Sequence, residues 1–189
     1  MTEHHPAAVD PLSLHLLVLR CQTGDERAFA HLVDMFGERT LGYLRGLVGD
    51  DADDVHQDVW LSVYRGIGGL ANPGAFRTWL FQTTRHRAVD FLRRRKRERE
   101  LLDEVASELA VDAADVNDDA GLGGVDETIL DTALLGIPPP QREVLLLRYR
   151  DDLSYNEIAL VVGCPIGTVR TRLHHAKRRL QELLTRGQP

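Results

Sequence analysis

Aromatic side chains make up only 6% of this 189-residue chain, and no stretch alternates Val, Ile, Thr and aromatic residues as a half-buried strand would. That scarcity argues against a sheet protein. Cysteine is just as scarce. Cys21 and Cys164 are too few and too far apart to make a disulfide framework or a zinc site by themselves, which points to a reducing compartment. Long apolar runs are missing as well. The stretch from Leu12 to Leu19 is broken by Ser13 and His15, is too short to span a bilayer, and follows no basic leader. These absences predict a soluble, intracellular, helical protein, long enough for one domain or two small ones.

The net charge of −6 is misleading until it is divided along the chain. From Arg77 to Arg97, eight basic residues face Asp90 alone, a balance of +7. From Ile166 to Pro189, six basic residues face Glu182, a balance of +5. Between these islands, from Glu98 to Asp126, ten acidic residues face only Arg99, a balance of −9. Phosphate binding depends on local charge, so the islands outweigh the sum. The acidic stretch is rich in small residues and glycine, and it lacks aromatics. It reads as a mostly flexible linker, with a short helix allowed for over Leu101 to Leu109. Asp112, Asp115, Asp118 and Asp119 either are solvated or shield the basic islands from DNA.

The most informative segment is SYNEIALVVGCPIGTVRTRLHHAKRRL, Ser154 to Leu180. Ser154 can N-cap a helix, and Glu157 three residues later completes a capping box. Gly163 ends that helix, and Pro165 permits a restart near Ile166. In the second helix Val169, Leu173, Ala176 and Leu180 form a buried stripe. Its other face carries Thr168, Arg170, Thr171, Arg172, His174, His175, Lys177, Arg178 and Arg179. A helix held by its back while its front offers arginines and hydroxyls suits a DNA major groove. An ordinary helical hairpin with a solvated basic face is the alternative.

The N-terminal part reads as a helical bundle. Asp10 and Pro11 start its first helix, Asp25 and Glu26 its second, Asp50 its third, and Asn72 and Pro73 its fourth. In the third, Asp51, Asp54 and Asp58 line one side with Gln57 beside them. Their repulsion is a cost that a basic partner surface could relieve; a solvated face and a hard metal ion are the competing readings. In the fourth, Trp79, Leu80, Val89 and Leu92 are expected inside, while Arg77, Thr83, Thr84, Arg85, His86 and Arg87 supply donors suited to single-stranded nucleic acid. Trp79, Phe76 and Phe81 fit the core better than a stacking platform. The run Arg93 to Arg97 suits phosphate contacts.

GDERAFAHLVDMF, DADDVHQDVWLSVYRG, AFRTWLFQTTRHRAVDFLRRRKR and PPPQREVLLLRYRDDLSYNEIALVVGCPIGTVRTRLHHAKRRL follow one another in the order found in bacterial sigma factors. The chain resembles the extracytoplasmic-function (ECF) group of the sigma-70 family, which keeps only the second and fourth sigma domains. The likeness covers Leu12 to Arg97 and Asp126 to Leu184.

The resemblance implies an all-α protein with a tail over 1–11, sigma domain 2 over 12–97, an acidic linker over 98–125, sigma domain 4 over 126–185 and a tail over 186–189. It implies a cytoplasmic factor, tied to stress responses, that brings core RNA polymerase to promoters. Asp54, Gln57, Asp58 and Leu61 would dock on the clamp of the largest subunit, and domain 4 would meet the flap of the second-largest. Arg77, Trp79, Thr83, Arg85, His86, Arg87, Arg93 and Arg94, with the loop Gly68 to Gly74, would read and open the −10 element, where an extruded base needs a pocket. Thr168, Arg170, Thr171, Arg172 and His175, backed by Arg142, Arg148 and Lys177, would hold the −35 element. An anti-sigma factor holding the chain at the inner membrane face is a further implied partner. No cofactor, metal, catalytic residue or small-molecule substrate is implied.

Some positions depart from the family pattern: His86 stands where asparagine is common, Trp60 where phenylalanine is frequent, and His56 where an aliphatic residue is usual. His174 and His175 are unusual in a basic run. Cys164 reads as a small buried thiol or a redox sensor. A free-standing helix-turn-helix regulator is the second reading of the whole chain, and a metal-dependent hydrolase using the Asp51–Asp58 cluster the third.

Overall fold

The computed structural model describes residues 10–109, 133–134 and 136–186. Most of the proposed linker, including its four aspartates, lies outside them. The described residues contain helices and no strand, as expected for an all-α chain. They are α1 (Pro11–Gln22), α2 (Glu26–Val48), α3 (Ala52–Gly66), α4 (Phe76–Leu109), α5 (Pro139–Tyr149), α6 (Tyr155–Val162) and α7 (Ile166–Arg186).

Local chemistry sets the helix ends. The Asp10 carboxylate accepts from the Ser13 amide at 2.9 Å, and Asp25 accepts from the amides of Arg27 and Ala28, so each satisfies donors that a first turn leaves free. The Ser154 hydroxyl accepts from the Glu157 amide while the Glu157 carboxylate accepts from the Ser154 amide, a complete capping box. Gly163 closes α6 at φ +67°, a left-handed conformation open to glycine at little cost.

Two cores result. The first is built from Leu17 and Val18 of α1, Leu32, Phe36 and Leu44 of α2, Val55, Val59 and Val63 of α3, and Phe76 and Leu80 of α4. The second joins Val144 and Leu147 of α5, Ile158 and Val161 of α6, and Val169 and Leu173 of α7. Each such side chain contributes on the order of 1.5–3 kcal/mol when fully buried. Tyr43 of α2 and Phe81 of α4 belong to the second core, not the first. The two helical units are therefore packed together, α5 against α2 and α6 against α4.

Three expectations need correction. Leu92 is 43% exposed, because its position on α4 faces neither core. Thr84 is fully buried and its hydroxyl donates back to the Leu80 carbonyl at 2.9 Å, so it is no free donor. Trp79 and Val89 are half-buried. Beyond Arg97, α4 runs on without a break to Leu109, so the helix allowed for over Leu101 to Leu109 is its last turns.

Candidate nucleic-acid interface

Asp54, Gln57, Asp58 and Leu61 are all exposed along α3, Leu61 at 52%. Helical spacing puts Asp54, Asp58 and Leu61 on one stripe. Behind them α3 is pinned by its buried valines and by His56, whose Nε2 accepts from Trp60 Nε1 at 2.9 Å and lies 3.0 Å from the Thr40 hydroxyl. Burial pushes the His56 imidazole below its ordinary value, against the carbonyl of Gly37 and the charges of Asp53 and Glu38. Arginines of α4 lie beside the acidic face. A groove of about 370 Å³ is lined by Asp58, Leu61 and Arg65 together with Arg87, Arg93 and Arg94 of α4. Asp51 itself pairs with Arg95. Asp51 is thus paired within the fold while Asp54 and Asp58 stay exposed, and no group of three or more His, Cys, Asp or Glu side chains placed to hold a metal ion is present among the described residues.

The basic residues of α4 divide between two faces. His86, Arg87, Arg93 and Arg94 are exposed. Arg77 and Arg85 turn instead toward the second unit. Arg85 Nε donates to the Glu143 carboxylate at 2.7 Å, and the Tyr43 hydroxyl donates to the same oxygen at 2.9 Å. Burial and the Glu143 charge raise the Tyr43 phenol well above its ordinary value, so it stays a donor. Arg77 has Nε and one terminal nitrogen buried without a hydrogen-bond partner, and burial lowers its guanidinium. Trp79 packs on the first core beside Phe76, as a core aromatic does. The Thr83 hydroxyl donates to the Trp79 carbonyl at 2.9 Å. The loop leading into α4 is fixed by Gln22, whose amide donates to the carbonyls of Ile67 and Leu70.

On α7, Val169, Leu173 and Ala176 are buried and Leu180 is half-buried, while Arg170, Thr171 and Lys177 face outward. Thr168, Arg172 and His175 are half-buried; Arg172 reaches back to Cys164 Sγ at 3.8 Å, beside the turn. Arg148 donates to the Leu153 carbonyl at 2.9 Å and lies over the Tyr155 ring, so it braces the turn as well as offering charge. Lys177 lies 5.0 Å from the Tyr149 ring centre. Arg142 is half-buried, its guanidinium lowered by burial.

Sequence reasoning missed Tyr43, Glu143 and Asp151. Asp151 is fully buried with neither carboxylate oxygen hydrogen-bonded, and burial pushes its pKa up to about 7 against the pull of Arg150, Arg39 and Arg77. The run Leu41-Gly42-Tyr43-Leu44, which breaks the one-stripe spacing of α2, was the available signal. A helix buried over more than one stripe is packed on more than one side.

Residues 32–98 match the family described as Sigma-70 region 2, and residues 127–180 match Sigma-70, region 4. The RNA polymerase sigma-H factor of Pseudomonas aeruginosa is 32% identical over 177 residues, covering 89% of this chain and 92% of that one. The ECF RNA polymerase sigma-E factor of Haemophilus influenzae is 30% identical over 180 residues, covering 91% and 95%. Among solved structures, CnrH in complex with the cytosolic domain of CnrY aligns with a TM-score of 0.65 at 26% identity, covering 95% of this chain and 100% of CnrH. The sigma factor RpoE in complex with the anti-sigma factor NepR, from Bartonella quintana, aligns with a TM-score of 0.65 at 26% identity, covering 85% and 98%.

Proposed function

This chain belongs to the sigma-70 family as an ECF sigma factor that directs promoter-specific initiation by RNA polymerase, and on that premise we propose how its surfaces divide the work. Asp54, Gln57, Asp58 and Leu61 dock on the polymerase clamp, and the second unit meets the flap. The α4 set and the loop before it engage the −10 element, and α7 enters the major groove at −35 with Arg170 and Thr171 foremost. The domain limits are 12–97 and 126–185, and the acidic segment between them threads the polymerase channels. The chain is cytoplasmic and supplies no chemistry of its own. An anti-sigma factor, like the one bound by the RpoE of Bartonella quintana, is a fitting regulator and would hold it at the inner membrane face.

One observation carries this reading. The capped helix-turn-helix holds α7 by buried Val169, Leu173 and Ala176 while leaving Arg170 and Thr171 exposed, the Thr171 hydroxyl donating to the Gly167 carbonyl at 3.0 Å. Side chains so placed meet a groove without any rearrangement of their own helix. The test is reconstituted transcription with purified core polymerase on selected promoter DNA. Promoter-specific transcripts that need both proteins are expected. Specific operator binding by the chain alone, with no polymerase association, would instead establish a free-standing regulator.

A further inference from the structure

The outer face of α7 is braced from beyond its own helix. Arg170 and Lys177 stand seven residues apart, so helical spacing puts both on one stripe, Lys177 about two turns further along. A lysine charge rides on a flexible four-carbon stem, and that freedom is lost when a phosphate is gripped. Tyr149, the last residue of α5, restrains this one. The Lys177 ammonium lies over its ring, 5.0 Å from the ring centre. The Tyr149 phenol holds that ammonium above its ordinary value, with Tyr155 adding to the effect and Arg148 opposing it, so all four side chains share one patch.

The same arrangement recurs beside it. The Arg148 guanidinium carbon lies 5.5 Å from the centre of the Tyr155 ring, while its Nη1 donates to the Leu153 carbonyl at 2.9 Å. Tyr43 and Tyr64 meet aromatic neighbours, whereas Tyr149 and Tyr155 meet cations. Neither of the latter belongs to a core, and Tyr149 is 54% exposed. Burial of apolar surface therefore does not account for a large ring at position 149; attraction between its face and a cation does.

We propose that Tyr149 is a positioning residue for promoter binding, its ring holding Lys177 at the rim of the −35 groove. The ammonium then meets a DNA phosphate without first being gathered from many rotamers. Tyr155 acts likewise on Arg148, which the Leu153 carbonyl already restrains, so Tyr149 has the larger effect. The inference rests on the placing of α7 at the −35 element. A phosphate contact carries no base information, so Tyr149 sets affinity and leaves sequence preference unchanged.

The test uses holoenzyme reconstituted from core polymerase and the full chain. It reads affinity for labelled promoter DNA and for the same DNA with its −35 element scrambled. Tyr149→Leu should weaken both by about threefold, the size of an exposed contact between a cation and a ring. Lys177→Met should weaken both at least as much. In the Lys177→Met background, Tyr149→Leu should bring no further loss, because no charge is left to position. A merely structural role would lower affinity by the same factor whether or not residue 177 is charged. Thermal melts should match the wild type, and Tyr149→Gln repeats the comparison should the leucine variant fail to fold. Three results overturn the proposal: no loss in Tyr149→Leu, a loss undiminished in the Lys177→Met background, or a loss confined to the intact −35 sequence. Promoter-specific transcription by the wild-type holoenzyme keeps the two readings apart. Where it persists beside any of those results, the sigma-factor reading stands and only this inference falls; where the wild type yields no such transcripts, that reading falls first.

Discussion

Replacing Asp151 with asparagine should make the protein more stable, and increasingly so as pH rises. Asp151 is fully buried at the junction of the units, with Arg150 beside it, Arg39 of α2 and Arg77 of α4 across from it, and Asp152 adding like charge. Desolvation outweighs those arginines and lifts the carboxyl from its ordinary 3.8 to about 7. The folded value thus lies above the unfolded one. Between them the folded chain holds a proton that the unfolded chain has released, so stability falls as pH rises through this window, by about 1.4 kcal/mol per pH unit. The whole window corresponds to about 4 kcal/mol. Asparagine keeps the shape and never ionises. Urea unfolding followed by circular dichroism, from about pH 5 to about pH 8, should show the two stability curves diverging by about 3 kcal/mol in favour of the variant. Parallel curves would refute the reasoning, because the carboxylate would then be as well solvated in the folded protein as in the unfolded one.

Lysine at both Asp54 and Asp58 should abolish association with core polymerase while leaving the melting temperature within about 2 °C, since both side chains are exposed and contribute no burial; co-purification and a thermal melt read the two effects. Arg172→Ala should weaken −35 binding by about 1–3 kcal/mol if its guanidinium swings from Cys164 to a base edge; an equal loss on scrambled DNA, measured by anisotropy, reassigns it to phosphate. His56 titrates in the opposite sense to Asp151. Its folded value is held below the ordinary 6.5, so its contribution is present above that value and lost as pH falls. Protonated Nε2 can no longer accept from the Trp60 indole N–H. His56→Leu should flatten the acid side of the stability curve, and an unchanged acid slope would count against this role.

How much was legible in the sequence follows from how local each interaction is. The caps at Asp10, Asp25 and Ser154 join residues two or three apart, and the stripe on α7 repeats with the helix period, so spacing alone reveals them. The exposed row on α3 was legible for the same reason. The Tyr43–Glu143 contact spans 100 residues and the Arg85–Glu143 contact 58, and no periodicity encodes either. Composition could not tell Arg85 from Arg87, although one is tied to a carboxylate and the other is open to solvent. Gly42 and Gly46 carry no spacing signal of their own, and only the fold shows the space they leave for the Arg150 and Leu146 side chains. The pairing of Asp51 with Arg95 spans 44 residues, beyond the reach of helical spacing, so the sequence shows the acidic charge of α3 without that partner.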